Sequence, residues 1–267
     1  MFNELIAFIF GLNIGSFLNV CIYRLPKSES IVNPPSHCPK CNKKIEWFDN
    51  LPLISYILLR GKCRNCKTTI SPRYFLVELL TGVMFFFLMF KFGLSFDFFI
   101  FMIFTCVLII VTFIDFDHFL IPDVLVLPGI VLGLAVSVKN SLLVNLSPLF
   151  FDVSYPFSAF LNSLTGAIFG FLSLLFVAVL GEMLFKKEAM GGGDLKLLAM
   201  MGAFLGWRNV FFTIFMSSLV GSVIGIALIL FKKKGRWEYI PYGPYLALAG
   251  IISIFWGDIL IAKFLNL

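Results

Sequence analysis

The chain has 267 residues, of which 60% are hydrophobic and only 13% are charged. Its mean hydropathy of +0.97 reflects more apolar surface than a soluble domain could bury, so the composition excludes a water-soluble globular protein. Long apolar runs without polar alternation also disfavour a β-barrel and predict an all-α polytopic membrane protein. The formal charge of +6 is informative through its distribution along the chain, and we infer no nucleic-acid partner from it.

Apolar segments of about 17 to 25 residues are long enough to cross a bilayer, and segments of this kind predict about eight transmembrane helices. The first, within residues 1–23, has no basic region before it and no small-residue cleavage site after it. We therefore interpret it as a retained span rather than a signal peptide. The sixth is short, at about 18 Å of helix. The predicted spans are residues 3–23, 75–92, 98–114, 124–138, 157–185, 195–206, 210–231 and 244–262.

Basic residues concentrate in the loops on one side of these spans. Of the 21 Lys and Arg residues, 17 lie in these loops or, in the case of Lys196, at the start of the sixth span, and only Lys91, Lys139, Arg208 and Lys263 lie elsewhere. Because positive loops remain in the cytoplasm, the N-terminus is predicted to lie outside and the basic loops inside. The same rule supports counting the short sixth helix as a membrane crossing, since without this crossing the basic loop after the seventh span would lie outside. The cytoplasmic loops are 24–74, 115–123, 186–194 and 232–243.

This topology predicts three parts of the chain. Residues 1–23 form the first transmembrane helix, residues 24–74 form a small cytoplasmic tetracysteine domain, and residues 75–267 form a seven-helix membrane domain. The middle part holds two Cys-x-x-Cys pairs. Each pair supplies two thiolates from a tight turn, and two turns complete a closed tetrahedral zinc site.

A structural zinc ion would stabilise the fold of this zinc-ribbon-like loop, which has too few apolar side chains to form a hydrophobic core of its own. Two disulfides are the alternative, but a cytoplasmic location disfavours them. The predicted metal ligands are Cys38, Cys41, Cys63 and Cys66.

Two acidic stretches lie where predicted spans meet the basic side. Asp115 ends the third span and Asp194 opens the sixth. A carboxylate this near to hydrocarbon is costly and indicates a functional site. Two adjacent carboxyl groups cannot both ionise at neutral pH, and such a pair can activate water for peptide hydrolysis. Asp117 is the rival of Asp115, and spacing alone does not separate them. A plain helix cap is the alternative role of Asp194.

Other residues of these stretches are candidates for supporting roles. Gly191 and Gly193 can adopt backbone angles closed to other residues and would let an extended substrate approach the following carboxylate. Asp123 is predicted to cap the fourth span. Lys196 could extend to the membrane interface. Glu78, near the inner end of the second span, is either an interfacial charge or a contact for a substrate amine.

Further motifs extend the pattern over nearly the whole chain. They are Gly15–Val20, Tyr23–Pro26, the cysteine pairs, Arg73–Tyr74, Val77–Gly82, Ile114–Asp123, Met190–Leu197 and Pro241–Leu246. Together these motifs resemble the type IV prepilin leader peptidase and N-methyltransferase family of Gly-x-Gly-Asp intramembrane aspartic proteases.

The resemblance implies cleavage of the leader peptides of type IV prepilins and type II secretion pseudopilins at the cytoplasmic face of the bacterial inner membrane. It implies Asp115 and Asp194 as the catalytic pair. Because the cysteine loop is retained, it also implies methylation of the new N-terminal residue by S-adenosylmethionine. No residue pattern indicates where that cofactor binds, since the glycine-rich fingerprint of soluble nucleotide-binding folds is missing.

Other functions remain as alternatives. A proton- or cation-coupled transporter would relay charge through Asp115, Asp194 and Glu78, but it predicts a matching broken helix in the other half of the chain, and we find none in the sequence. A scaffold that recruits partners through a zinc ribbon would explain the cysteines and leave the Gly-x-Gly-Asp stretch without a role. A zinc metalloprotease is disfavoured because no His-Glu-x-x-His motif occurs.

Overall fold

The computed structural model describes residues 1–144, 157–186, 190–231 and 240–265. Over these ranges the chain is helical and forms no β-strand, only two isolated bridges, which confirms the predicted all-α class. The helices are α1 (Phe2–Arg24), α2 (Ile54–Leu58), α3 (Pro72–Phe92), α4 (Phe96–His118), α5 (Asp123–Val136), α6 (Ser141–Val144), α7 (Phe157–Phe185), α8 (Gly192–Leu230) and α9 (Gly243–Leu265).

Within the described residues, five helices are long and apolar enough to cross a membrane, namely α1, α3, α4, α7 and α8. The chain is therefore an integral membrane protein. Every predicted span falls on a helix, with the sixth and seventh sharing α8. Within the described residues the length criterion gives five helices rather than eight spans, because α8 counts once for two predicted spans, α5 has only 14 residues and the apolar part of α9 is also short.

Helix α8 is 39 residues long but is broken at Gly206, whose φ of 78° and ψ of 166° are not helical. A positive φ is accessible to glycine at little cost, so glycine suits this break. The arm before Gly206 contains about 21 Å of helix, against the 30 Å or so of a hydrocarbon core. The break lies where the sequence predicts the sixth span to end, and this boundary is confirmed.

The chain divides into two compact units, Met1–Ile110 and Val111–Leu267. In the first unit, α1 packs on α3. A Cβ atom placed on Gly15 would lie 2.7 Å from the Cα atom of Glu78, and one placed on Gly11 would lie 2.8 Å from the Cα atom of Gly82. The two helices therefore approach each other as closely as glycine allows.

In the second unit, α8 packs against α5, α7 and α9. The backbones of α7 and α8 touch where Gly166 meets Gly202, and Met200 of α8 lies against Gly129 of α5. Nearly every residue of the first arm of α8 is buried. This arm is the centre of the second unit, and the acidic site lies at its first turn.

Parts of the predicted basic loops lie outside the described residues. These parts are residues 187–189 and 232–239. The assignment of those loops to the cytoplasm, and the three-part domain division at residues 23 and 74, remain predictions from the sequence.

Candidate active site and metal centre

Asp115 lies near the end of α4 and is buried, with 5% of its surface exposed. Its Oδ2 atom accepts a hydrogen bond of 3.0 Å from the backbone N–H of Gly243, the first residue of α9. Asp117 is exposed. Two positions along a helix turn a side chain to nearly the opposite side, which accounts for the difference. The structure thus places Asp115, and not Asp117, in the interior.

Asp194 is the third residue of α8 and is 4% exposed. Its backbone N–H donates to the carbonyl oxygen of Gly191 over 3.2 Å, so the residue belongs to the first helical turn. Its carboxyl group lies within electrostatic range of Asp115. Its Oδ1 atom is buried and has no hydrogen-bond partner within the described part of the chain. A buried polar atom of this kind is costly unless water or a ligand satisfies it.

The side chain of Ile121, in the turn between α4 and α5, packs against the residue before Asp194 and against the residue that binds Asp115. A Cβ atom placed on Gly193 would lie 2.8 Å from the Cβ atom of Ile121. A Cβ atom placed on Gly243 would lie 3.4 Å from the Cδ1 atom of Ile121 and 2.7 Å from Asp115 Oδ2. The starts of α8 and α9 therefore pack around Ile121, and no larger side chain fits at either glycine.

The glycines near Asp194 do not use the unusual backbone angles that the sequence allowed, while their predicted role in substrate approach stays a prediction. Gly191 has a φ of −73° and a ψ of 143°, which any residue can adopt. Gly193 lies in the first turn of a helix and needs space rather than an unusual φ. At Gly192 an added Cβ atom would meet nothing within 4 Å. Only Gly193 of the two helical glycines is therefore required by packing.

Tyr242 anchors the start of α9 to the second arm of α8. Its hydroxyl group is hydrogen-bonded to Ser217 Oγ over 2.7 Å and lies 3.3 Å from Ser218 Oγ. Since Tyr242 directly precedes Gly243, these contacts hold the peptide group whose N–H donates to Asp115.

Lys196 and Asp123 form an ion pair beside this site. Lys196 Nζ donates to both carboxylate oxygens of Asp123 over 2.8 Å each. Asp123 is the first residue of α5, Pro122 occupies the N-cap position, and no side-chain cap hydrogen bond forms there. The predicted capping role of Asp123 is therefore wrong, because its carboxylate binds Lys196 instead. Both side chains are at least one-third exposed, so the pair contributes at most about 1 kcal/mol.

Glu78 belongs to the first unit. It is buried in α3, and its Oε2 atom accepts a hydrogen bond of 2.9 Å from the N–H of Leu53, the residue before α2. The side chain therefore joins the cysteine loop to a membrane helix, a contact that sequence reasoning did not anticipate.

The four predicted metal ligands converge, with all their Sγ atoms within 4.8 Å of one another. The Sγ atoms of Cys38 and Cys66 are 3.8 Å apart, the separation expected around a tetrahedral zinc ion with Zn–S bonds of about 2.3 Å. The cysteines are free thiols rather than disulfides. This arrangement fits a four-thiolate zinc site. The ligands are Cys38, Cys41, Cys63 and Cys66.

The two cysteine turns repeat the same backbone geometry. In each turn the N–H of the leading cysteine, Cys38 or Cys63, donates to a carbonyl beyond the second cysteine, and the carbonyl of the leading cysteine accepts a bond in return. The residue after the second cysteine has a positive φ in both turns, 55° at Asn42 and 58° at Lys67. The matching turns present their two thiol pairs to each other.

Comparisons with known proteins identify the family. Models described as "Bacterial Peptidase A24 N-terminal domain" and "Type IV leader peptidase family" match residues 9–92 and 102–226. The chain belongs to the type IV leader peptidase family. A Pseudomonas aeruginosa protein named prepilin leader peptidase/N-methyltransferase is 39% identical over 95% of this chain and 90% of its own length. A protein of the same name from Stutzerimonas stutzeri is 38% identical over 98% of this chain and 93% of its own length. No solved structure matches the chain.

In this type IV leader peptidase chain, sequence reasoning predicted both acids and all four cysteines but assigned no role to Ile121, Tyr242 or Gly243. Gly243 also lies beyond the residues that the family models match. The available signal was the Pro241–Leu246 motif, which places glycine between bulky residues at the start of an apolar segment. That position indicates a close approach, although the partner is far away in the sequence.

Proposed function

We propose that this chain cleaves the leader peptides of type IV prepilins and type II secretion pseudopilins and then methylates the new N-terminal residue. The observation that carries the peptidase activity is the buried pair Asp115 and Asp194, within electrostatic range of each other in one compact unit. Similarity over nearly the full length to proteins named prepilin leader peptidase/N-methyltransferase supports both activities. The basic loops support a site at the cytoplasmic face of the bacterial inner membrane.

The chemistry follows from two neighbouring carboxyl groups. One is protonated and the other ionised, because two like charges so near to each other are not both stable at neutral pH. The ionised group takes a proton from a water molecule while the oxygen of that water attacks the scissile carbonyl carbon. The protonated group donates its proton to the carbonyl oxygen. Collapse of the tetrahedral intermediate breaks the C–N bond, and the amine leaves with a proton. Water supplies both added hydrogens and the added oxygen.

The backbone N–H of Gly243 fixes one oxygen of the pair. By binding Oδ2 of Asp115 over 3.0 Å, it leaves Oδ1 as the oxygen that exchanges protons with water or substrate. Tyr242, held by Ser217, keeps that N–H in place. We infer that the start of α9 is a positioning element for the acid, and that Gly243 is required because a side chain there would displace the carboxyl group.

Gly243→Ala is therefore expected to lower the initial rate of prepilin cleavage. An added Cβ atom would lie 2.7 Å from Asp115 Oδ2, and a misplacement of the catalytic group near 1 Å costs about 100-fold in rate. Gly225→Ala in the same unit is the matched control, because its Cβ atom would meet only Ile240 Cδ1 at 3.7 Å. Equal cleavage rates for the two variants would contradict this role of Gly243.

The proposed substrate has a basic leader followed by an apolar helix. Such a polypeptide places the junction of its two parts at the membrane surface, since the apolar helix enters the bilayer and the basic leader stays on the cytoplasmic side. The acids lie at the end of α4 and at the first turn of α8, both membrane-length helices. Their depth therefore suits a scissile bond at that junction.

We also propose that the tetracysteine cluster holds one structural zinc ion. Zinc bound by four thiolates has no open position and stabilises folding rather than performing catalysis. Cys63→Ser is expected to lower bound zinc from about one ion per chain to near none, because three thiolates do not close the site. Elemental analysis of purified protein measures this. Cys106→Ala, which changes a cysteine of α4, is the control, and equal zinc contents in both variants would contradict the assignment.

Methyl transfer requires a donor, and we propose S-adenosylmethionine. When bound, it supplies an electrophilic methyl group attached to a sulfonium sulfur. The described residues form no strand, so they do not offer the strand-turn-helix site that binds nucleotide cofactors in doubly wound folds.

The proposed function is tested by incubating the purified chain, in lipid vesicles, with a prepilin and S-adenosylmethionine. Mass spectrometry of the product is expected to show loss of the leader and addition of one methyl group to the new N-terminus. An intact prepilin after incubation with chain shown to be folded would overturn the substrate assignment. Cleavage without methylation would remove the second activity alone.

A further inference from the structure

The cysteine loop carries an apolar surface that the rest of the described chain leaves open. This surface, here called the apolar ridge, consists of the segment 47–58, which includes α2. Its exposed fractions are high for aromatic and aliphatic side chains. They are Trp47 77%, Phe48 42%, Leu51 42%, Ile54 56%, Ile57 62% and Leu58 76%. A contiguous exposed patch of this kind on a folded module marks an interaction surface.

The ridge is tied to a membrane-length helix at a defined depth. Leu53, at the start of α2, donates its N–H to Glu78 Oε2 over 2.9 Å. Glu78 is in the second turn of α3, about 9 Å along the helix axis from Pro72 at 1.5 Å per residue. The helix has 21 residues, or about 31 Å, which is only just enough to cross the hydrocarbon core. Because Leu53 binds Glu78, the start of α2 lies near the level of Glu78, about 9 Å inside the end of α3 and so in the outer part of the leaflet that α3 enters.

A second contact, made by the middle of α2, holds this helix against α3. The ring of Tyr56 lies 5.6 Å from the ring of Phe75, and the Tyr56 hydroxyl group donates to the carbonyl oxygen of Ile70 over 3.3 Å. These contacts use the inner side of α2. The exposed side chains Ile54, Ile57 and Leu58 lie on its remaining surface.

The charges around the ridge fit a lipid surface. Among residues 40–67 the exposed cations outnumber the acids, and one of the two acids, Asp49, is bound by Arg64 through two hydrogen bonds of 2.7 Å. An apolar face with Trp and Phe beside cationic side chains is typical of segments that lie in the membrane interface. The exposed cations are Lys40, Lys43, Lys44, Arg60, Lys62, Arg64 and Lys67.

We infer that the apolar ridge is an interfacial membrane anchor that inserts Ile54, Ile57 and Leu58 into the adjacent leaflet, with the surrounding cations facing anionic head groups. The anchor fixes the height of the tetracysteine cluster relative to α3 through the Leu53 to Glu78 bond. It requires no particular substrate and so stands apart from the proposed peptidase function.

Photocrosslinking of the full chain in vesicles of phosphatidylethanolamine and phosphatidylglycerol tests this inference. The residue p-benzoylphenylalanine replaces Ile57 in one protein and Leu58 in another. Asn65, exposed at the turn of the second cysteine pair, is the matched control within the module, and Phe176, 69% exposed on α7, is the lipid-facing reference. Monodisperse elution establishes that each variant is folded.

Lipid adducts at positions 57 and 58 are expected at the level of position 176 and at least about tenfold above position 65, because an interfacial anchor buries its apolar face in the acyl boundary. Adducts at 57 and 58 no higher than at 65 would overturn the inference. Crosslinks from these positions to a second copy of the chain, or to a prepilin added to the vesicles in place of lipid, would also overturn it, since they would identify a protein as the occupant.

Discussion

Replacing either buried acid is expected to abolish leader cleavage. Asp115→Asn and Asp194→Asn each keep the size of the side chain but remove a group that accepts or donates the proton. General acid and base catalysis contributes about 100- to 10,000-fold, so we expect a loss of about a thousandfold or more in the initial cleavage rate of either variant. The expectation rests on the burial of both side chains and on their mutual electrostatic reach.

Asp117→Asn is the matched control for this experiment. It makes the same chemical change two positions from Asp115, on a side chain that is exposed. We expect its cleavage rate to remain within about threefold of the unaltered chain, as for surface changes away from a site. If Asp117→Asn lost cleavage activity while Asp115→Asn retained it, Asp117 rather than Asp115 would be the catalytic acid and the assignment would be refuted. Thermal unfolding of all three variants separates loss of catalysis from loss of folding.

Gly193→Ala is expected to reduce cleavage strongly, by about 10- to 100-fold, through displacement of the neighbouring acid. Its added Cβ atom would lie 2.8 Å from Ile121 Cβ, a distance that forces the first turn of α8 and the turn after α4 apart. Asp194 is the next residue, so its carboxyl group would move away from Asp115. Initial rates on a prepilin at saturating concentration measure the effect.

Gly192→Ala makes the same change one residue earlier, where a Cβ atom meets nothing within 4 Å. Alanine is also the better helix former, so this variant should be as stable as the unaltered chain or slightly more stable. Its cleavage rate should be unchanged. If Gly192→Ala were as damaged as Gly193→Ala, flexibility of the glycine run rather than packing against Ile121 would explain the requirement.

The features that could be predicted from the sequence are those that depend on a short stretch of residues or on the amino-acid composition of one segment. Hydrophobic length predicted helices at every span position, and the short sixth span ends at the Gly206 break. The spacing within each cysteine pair predicted the metal ligands, since a Cys-x-x-Cys turn is local. The apolar context of Asp115 and Asp194 predicted functional acids, because an unpaired carboxylate there is costly.

The features that could not be predicted depend on contacts between distant parts of the chain. The Gly243 N–H to Asp115 bond joins α9 to α4, and the Ile121 packing joins three elements. Asp123 was predicted to cap α5, yet the nearby Lys196 ammonium group competes for its carboxylate and binds it. The residues next to Asp123 in the sequence do not indicate that Lys196 would bind its carboxylate. The count of eight spans likewise depended on assigning membrane crossings to helices as short as α5.

Convergence of Asp115 and Asp194 is the central claim, and thiol bridging between their positions tests it directly. In a chain with Cys21 and Cys106 changed to alanine, Asp115→Cys combined with Asp194→Cys is treated with a short bifunctional thiol reagent, and the bridged peptide pair is measured by mass spectrometry. Asp117→Cys combined with Asp194→Cys is the control. We predict a bridged peptide joining positions 115 and 194 in high yield, and little joining 117 and 194. Failure of the first bridge to form in folded protein, with the second forming readily, would contradict the account.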